Sequence, residues 1–561
     1  RIQAREIIVK RLEEEGFIVK IEDHKHQVGH CYRCKNIVEP YISKQWFLKK
    51  EVAKKSIDKT NAGEATFFPP HWINSYNSWM SELRDWCISR QLWWGHQIPV
   101  FYCDDCDHEF VSDAQQPDGC PKCDSKNVTQ DPDVLDTWFS SALWSFSTLG
   151  WENGEAETDK LFQANDMKDF YPNTLLITGF DILFFWVARM MMMGEHFNAQ
   201  LPFNHIYLHA LVRDEKGDKM SKSKGNVIDP LDMVNTYSAD ILRFTLAISA
   251  AQGRDIRMST EKLELNRNFT NKLYNASKYL QMNVDTFADL SELSLHTELG
   301  IYMESRLHVT TKEVRAFMDE YKFNDAALSL YKFIWNEFCG WGIELSKADK
   351  DSIVELGAIF KEAMKLLHPF MPFITEYLYH ELSGTSLETG DSIMLMKYPQ
   401  QTSVHAKEER KFNIIMDSIV SIRRAKVLVD LANQKIEKAF IKIDGISQED
   451  EEKMRPFILR LAKVEVVEFT QSKIENAVSD ISDLCESFIP TDSIDLSSII
   501  SKLTKQNEKL QKEIDKLTNM LSNERFVANA PEDVLEKNRT LLEDAKTKQE
   551  KVVEQLNSLQ N

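Results

Sequence analysis

Four things are missing from this 561-residue sequence, and each absence narrows the reading. No apolar run is long enough to cross a bilayer as a helix, which takes about 20 residues, so no membrane partner is expected. Positive charge is not in excess: 87 acidic residues against 68 basic ones leave a formal net charge of −19. That argues against bulk, nonspecific nucleic-acid binding but leaves room for local basic patches. Cysteine is sparse, with nine residues in all. Six of the nine stand in three Cys-x-x-Cys pairs, a pattern that suits metal binding in a reducing compartment better than a disulfide framework. The phosphate-loop text G-x-x-x-x-G-K-[ST] is also absent.

What is present exceeds one hydrophobic core, and three to five domains are expected. Hydrophobic content of 43% and charged content of 28% are those of an ordinary globular chain. The opening "RIQAREIIVKRLEEEGF" reads as an amphipathic helix already under way at Arg1, so the chain is expected to be the back part of something longer. Residues 21–130 are irregular and rich in tryptophan, which by count alone fits a small domain with a thin aromatic core. Then "NTLLIT" reads as a buried strand, "DILFFWVARMMMMG" as an apolar helix and "HIYLHALV" as a second strand. That order predicts part of a parallel, doubly wound sheet, with ligands beyond the strand ends. From about 261 to 400 the period is helical. Leu265, Phe269, Leu273, Ala276 and Leu280 trace one face, with Pro369 and Pro372 as expected kinks. Residues 401–490 combine a basic helix with two apparent strands.

The end of the chain is a heptad array. Leu496, Leu503, Leu510 and Leu517 form one seam position, and Ile500, Asn507, Ile514 and Leu521 the other. After "SNERFVANAPED", Leu535, Leu542, Gln549 and Leu556 alternate with Asn538, Ala545, Val552 and Leu559. With Pro531 near the second helix start, an antiparallel hairpin is expected.

Two stretches carry chemistry. Cys103-x-x-Cys106 and Cys120-x-x-Cys123 give four thiolates at a spacing that closes tetrahedrally around Zn²⁺, a closed and therefore structural site. Cys31-x-x-Cys34 is a half-site, more simply read as free thiols. Cys87, Cys339 and Cys485 read as small hydrophobes. The loop "GDKMSKSKGN", residues 217–226, places Lys219, Lys222 and Lys224 between two glycines after a strand. Such a loop is usually solvated surface. Beyond a parallel strand, mobile ammonium groups also suit a polyphosphate whose leaving group gathers charge.

"KMSKS" is a signature of class I aminoacyl-tRNA synthetases, and the surrounding text is similar to the valyl-tRNA synthetase family. The matching segments include "DWCISRQLWWGHQIP", "DPDVLDTWFSSALWSFSTLGW", "FYPNTLLITGFDILFFWVARMMMMG", "LVRDEKGDKMSKSKGNVIDPLDM", "RNFTNKLYNASKY" and "HPFMPFITEYLY". "TGFDILFFW" favours valine over the isoleucine and leucine relatives.

The resemblance implies a valine–tRNA ligase. ATP, with Mg²⁺, and L-valine give valyl-adenylate, and valine passes to tRNA(Val). It implies catalytic roles for Lys219 and Lys222, with Ser221 and Ser223, and adenylate contacts at Gly179, Asp181, His209 and Met220. Trp138, Asp181 and Ile182 would form the amino-acid pocket, and Asn271, Lys272 and Tyr279 would face the anticodon. Taken alone, Trp138 and Ile182 would more often be core, and His209 a satisfied core histidine.

The implied architecture is multidomain α/β plus all-α. Residues 1–130 would end an editing insertion and carry a zinc ribbon, and 131–260 would form the second half of a Rossmann-type fold. Residues 261–400 would be the helical anticodon-binding bundle, 401–490 a small α/β junction module, and 491–561 a coiled-coil tRNA-binding arm. A His-Ile-Gly-His-type motif is not in the text, nor is the body of an editing domain, so the 561 residues alone are expected to be inactive. A cytoplasmic monomer is expected. The alternatives are an isoleucyl-tRNA synthetase and a nonenzymatic tRNA-binding coiled-coil protein.

Overall fold

The apolar runs at 173–178 and 205–212 fall on seven-residue strands, Asn173–Gly179 and Phe203–His209, in the computed structural model, the second strand ending at His209, before the run does. They belong to a three-stranded sheet with Phe203–His209 at its centre. The third strand, Thr66–Phe68, runs parallel to the centre, with His205 opposite Thr66 and Tyr207 opposite Phe68. From the sequence these three residues read as irregular, because three residues are too few to show a period. Asn173–Gly179 is half-buried rather than buried. Leu176 and Thr178 turn inward while Ile177 stays exposed, the alternation of a strand covered on one face.

The structure describes residues 2–31, 34–38, 41–114, 116–152, 155–156, 166–221, 225–401, 403–491, 496–522 and 532–560. They divide into two units, each visited more than once by the chain: 1–65, 74–174 and 184–204 in the first, 66–73, 175–183 and 205–561 in the second.

In the first unit, Val100–Cys103 is the middle strand of an antiparallel ribbon between Glu109–Val111 and Val128–Gln130. The helix Ala188–Asn198 buries the run Met190–Met193 completely. The opening helix, Ile2–Glu14, instead leaves Ile7, Ile8 and Leu12 exposed.

In the second unit, helices Thr260–Gln281, Glu298–Asp319, Phe323–Lys332, Ser352–Leu367, Pro372–Ser383 and Ala406–Leu428 pack around one core. Phe269, Leu273, Ala276 and Leu280 lie in it as expected, but Leu265 is 56% exposed and Leu263 is buried instead. Leu263 packs on Ile241 and Met258. At its first turn this helix leans on a different neighbour, so its inward side is not that of its later turns. Pro369 and Pro372 do not kink a helix. One helix ends at Leu367, and Pro372 opens the next at its first turn, where a missing N–H costs nothing.

The core continues without a break into residues 436–490. There four strands lie in the order Val464–Thr470, Ile436–Lys442, Glu486–Pro490, Ala477–Ile481. The last two strands went unread because their polar content hides the alternation. The two C-terminal helices, Leu496–Ser522 and Glu532–Gln560, pack side by side, with Ile514, Leu517, Ala545, Val552 and Leu556 buried. Gln549 Nε2 donates to Asn507 Oδ1 at 3.1 Å. That pairing makes the helices antiparallel. A parallel arrangement would put residues 522 and 532 about 48 Å apart, and ten peptide units reach at most ~36 Å.

Candidate functional site

Two strand ends and one loop build the face on which the sequence-predicted residues of the second unit meet. Asn173–Gly179 ends at Gly179, and the chain turns through a 3₁₀ turn, Phe180–Ile182, into a π-helical turn, Leu183–Val187. Irregular turns of this kind recur at functional sites. The absence of a side chain at Gly179 leaves room for the Asp181 carboxylate. A Cβ there would lie 2.7 Å from Asp181 Oδ1 and 3.7 Å from the His209 ring. The central strand ends at His209, exposed, with Nδ1–H donating to the Ala210 carbonyl at 2.8 Å. His209 is therefore not a buried core residue.

The chain then pairs Val212–Arg213 with Ile256–Arg257 in parallel. Asp255 pins this turn, accepting from Leu211 N at 3.1 Å and from Arg213 Nε. Burial pushes the Asp255 carboxyl up, but those two donors outweigh it and hold it below the usual carboxylate range.

The lysine loop is stitched at its stem. Asp214 N donates to Asp218 O at 3.1 Å, and Gly217, at φ +89°, closes the turn against Arg257. Asn226, which sequence reasoning passed over, ties the loop's two sides together. Its Nδ2 donates to Asp214 Oδ2 at 2.8 Å and its Oδ1 accepts from Ser221 N at 3.0 Å. The hydrogen bond from Asn226, with that from Asp218 N, lowers the Asp214 carboxyl below its ordinary value. Only its side chain reveals the role, since "GN" after a lysine run reads as a turn ending. Lys219 Nζ lies 3.8 Å from Asp181 Oδ2, both groups partly open to solvent. Met220 is half-buried beside it. Lys222 and Ser223 lie outside the described residues.

The expected amino-acid wall is split in its placement: Trp138 falls in the first unit, and Asp181 and Ile182 in the second. Trp138 stands on the helix Thr137–Ala142, capped by Asp136, whose Oδ1 accepts from Trp138 N at 3.1 Å. Its ring stacks on Phe185 at 5.8 Å between centroids. Asp136 Oδ2 also accepts from Trp86 Nε1 at 3.2 Å and Arg90 Nη2 at 2.5 Å. No motif marks Asp136 as a hub.

Asn271, Lys272 and Tyr279 share the helix Thr260–Gln281. Asn271 is exposed, Lys272 covers the Trp335 ring at 5.1 Å, and Tyr279 is half-buried with its hydroxyl 3.1 Å from Ser346 Oγ. The ring with an open face on this helix is Tyr274, 41% exposed, with Lys278 Nζ 5.4 Å from its centroid. Arg267, Asn271, Tyr274 and Lys278 follow the i, i+4, i+7, i+11 spacing of one outer stripe, a signal available in the sequence.

In the first unit the four paired cysteines converge. Their sulfurs all lie within 4.8 Å of one another, with Cys103–Cys123 at 3.5 Å and Cys106–Cys120 at 3.6 Å. Four thiolates around Zn²⁺ stand about 3.8 Å apart. The two knuckles repeat one geometry. Asp107 N donates to Cys103 O and Asp124 N to Cys120 O, and both aspartates sit at φ +55°.

Residues 16–259 match the model of the class I tRNA synthetases for isoleucine, leucine, methionine and valine. Residues 301–441 match the anticodon-binding domain of tRNA ligases, and residues 495–560 the valyl-tRNA synthetase tRNA-binding arm. The chain is 60% identical over 556 residues to the valine–tRNA ligase of a Nitratiruptor species, covering 99% of this chain and 63% of the relative. It is 59% identical to the Wolinella succinogenes enzyme (100% of this chain, 62% of the relative) and 43% to that of Thermotoga maritima (97% and 62%). Over nearly its whole length the chain is similar to these valine–tRNA ligases. It spans about 63% of the length of the curated valine–tRNA ligases it matches. The three matched stretches leave 260–300 and 442–494 between them. The helix bearing Asn271, Lys272 and Tyr279 therefore lies outside the anticodon-domain match, as do the last three strands of the small sheet.

Proposed function

We propose that these residues serve a valine–tRNA ligase, in which ATP and L-valine give valyl-adenylate and pyrophosphate before valine passes to tRNA(Val). The observation that carries the reading is the meeting of Gly179, Asp181, His209 and Lys219 beyond adjacent strand ends, with Lys219 Nζ 3.8 Å from Asp181. Glycine at 179 lets a ligand approach the backbone. Asp181 accepts hydrogen bonds from a ribose hydroxyl or a substrate ammonium. Lys219, with Lys222, neutralises charge that grows on the departing pyrophosphate, and Asn226 holds the stem that presents Lys219 and Ser221. The strand ends offer one carboxylate, Asp181, so Mg²⁺ fits as an ion carried on the ATP phosphates rather than in a protein cage, and there it screens phosphate charge.

Trp138 and Ile182 are assigned to the valine side-chain pocket, and Asn271, Lys272 and Tyr279 to the anticodon. Cys103, Cys106, Cys120 and Cys123 are assigned to one structural Zn²⁺, for which their mutual spacing fits. The C-terminal helix pair is assigned as a coiled-coil arm that touches tRNA, with its Lys-rich first helix supplying the charge. The reading carries with it a cytoplasmic monomer. It also implies that a polypeptide of residues 1–561 and nothing else does not activate valine. Lys219 can lower a barrier only if further groups hold the same ATP in near-attack geometry.

The test is amino-acid-dependent ATP–pyrophosphate exchange by the synthetase that contains these residues. Exchange driven by valine supports the proposal. Exchange driven by isoleucine alone moves the chain to the isoleucine enzyme, and none with either amino acid leaves a tRNA-binding protein.

A further inference from the structure

The first unit contains a cavity of about 320 Å³ walled by Trp79, Leu83, Trp86 and Met192, with Arg90 and Arg189 on the same wall. At its rim Arg84 and Asp85 offset each other in charge. The two inner arginines are not balanced. Both turn to one carboxylate, Asp136, Arg90 at 2.5 Å and Arg189 at 3.9 Å. Arg189 is only 12% exposed, and its Nη1 is buried with no hydrogen-bond acceptor among the described residues. Its guanidinium lies on the Trp86 ring, 3.7 Å from the centroid. A ring face attracts the charge but does not accept the N–H in the guanidinium plane. Burial pushes Arg189 below its ordinary range, Asp136 opposes that, and Arg90 adds to it. One carboxylate cannot neutralise two guanidinium groups, so the cavity wall carries one uncompensated positive charge beside aromatic and aliphatic side chains.

We propose that this cavity binds a nucleoside phosphate. Paired guanidinium groups match phosphate oxygens in geometry and charge. A bare anion would leave the half-buried Trp79 and Leu83 wet, whereas a nucleobase covers them. The volume lies at the small end of small-molecule sites, enough for one nucleotide and not a dinucleotide. A free nucleotide and a single nucleotide of an RNA strand share this chemistry. The proposal stands apart from the synthetase reading, because the charge imbalance exists whatever reaction the chain serves.

The experiment is isothermal titration of the 561-residue chain with AMP, inorganic phosphate and a 5′-phosphorylated RNA trinucleotide. AMP should bind saturably, and binding should persist in Lys219→Ala. It should weaken about tenfold or more in Arg189→Met and in Arg90→Gln, the loss expected for one bidentate, charge-assisted contact. Phosphate should bind at least about tenfold more weakly than AMP. A trinucleotide that binds as tightly as AMP assigns the site to an RNA nucleotide, and one that is excluded assigns it to a free nucleotide. If Arg189→Met fails to fold, Arg90→Gln decides, since the Arg90 side chain is 39% exposed. The proposal is overturned by absence of saturable AMP binding, by AMP binding that both arginine variants retain, or by phosphate binding as well as AMP.

Discussion

Replacing Asp136 by Ala tests how the first unit holds Trp138. The carboxylate is buried and serves four groups: the Trp138 N–H, the Trp86 indole, Arg90 and, at longer range, Arg189. Removing one member of a buried ion pair costs about 3–5 kcal/mol, because the charge left behind has no partner. The first unit has about 190 residues, and at that size 1 kcal/mol moves Tm by about 2–4 °C. Its unfolding transition should therefore drop by about 6–20 °C. Asp136→Asn separates the two roles of the side chain. It keeps an oxygen for the Trp138 N–H but loses the charge, so it should melt only about 2–4 °C above the alanine variant, the worth of a helix cap of about 1 kcal/mol. Adding Arg189→Met to Asp136→Ala should return part of the loss, because the unpaired guanidinium goes with it, and contacting residues couple by about 0.5–3 kcal/mol. Calorimetry of the parent, Asp136→Ala, Asp136→Asn, Arg189→Met and the Asp136→Ala/Arg189→Met double variant is the assay. If the Asp136→Ala and Arg189→Met losses simply add, or Asp136→Asn melts like the parent, the charge argument fails. In the active enzyme the same variants should raise KM for valine more than KM for ATP, since Trp138 is assigned to the side-chain pocket.

Lys219→Ala should lower the rate of valine activation by about 10²-fold or more, the scale for one pre-organised donor at developing charge, with KM for valine unmoved. A raised KM with kcat intact would contradict its assignment. Purified protein should carry one zinc per chain, and Cys120→Ser or a strong chelator should release it and lower the first unit's melting temperature. A zinc-free chain of full thermal stability would end that assignment. Deleting residues 496–560 should weaken tRNA binding and flatten its dependence on salt, and equal affinity with an equal slope would remove the arm from the interface. Asp289 meets Lys361 Nζ at 2.8 Å and the Tyr379 hydroxyl at 2.9 Å. Burial raises its carboxyl, but the Lys361 and Tyr379 hydrogen bonds and the nearby lysine charges outweigh it and hold it below the ordinary value. Its stabilisation is present above the unfolded carboxylate pKa of about 3.9 and is lost as pH falls through the lower folded value. Asp289→Asn should destabilise the bundle at neutral pH and flatten its acid limb, and an unchanged acid limb would refute the sign.

Local pattern alone carried the two strands at 173–179 and 203–209, the helical run beyond 260 and the heptads at the end. Each depends on a period of 2, 3.5 or 3.6 that a single segment displays in full. The four paired cysteines were legible for a similar reason. Cys-x-x-Cys fits a tight turn that two short segments make by themselves, and the structure closes both knuckles with the same bond. Thr66–Phe68 was not legible, because a three-residue strand exists only through its neighbour. Leu263 replaced Leu265 in the core because burial depends on which element lies opposite: Ile241 comes from the helix Ala239–Ser249 and Met258 from the stretch just before Thr260. Asn226 escaped because its bonds to Asp214 and Ser221 form only once the loop folds back on itself. Asp136 and Arg189 escaped for one shared physical reason. A polar side chain takes its role from partners far along the chain, Asp136 meeting Trp86 and Arg90 from 50 and 46 residues away. Sequence by itself determined where each periodic element lies and which chemical groups the loops carry. Only the tertiary structure decided which charges share an acceptor and which is left without one, because electrostatic balance is a property of distances in space and not of spacing along a chain.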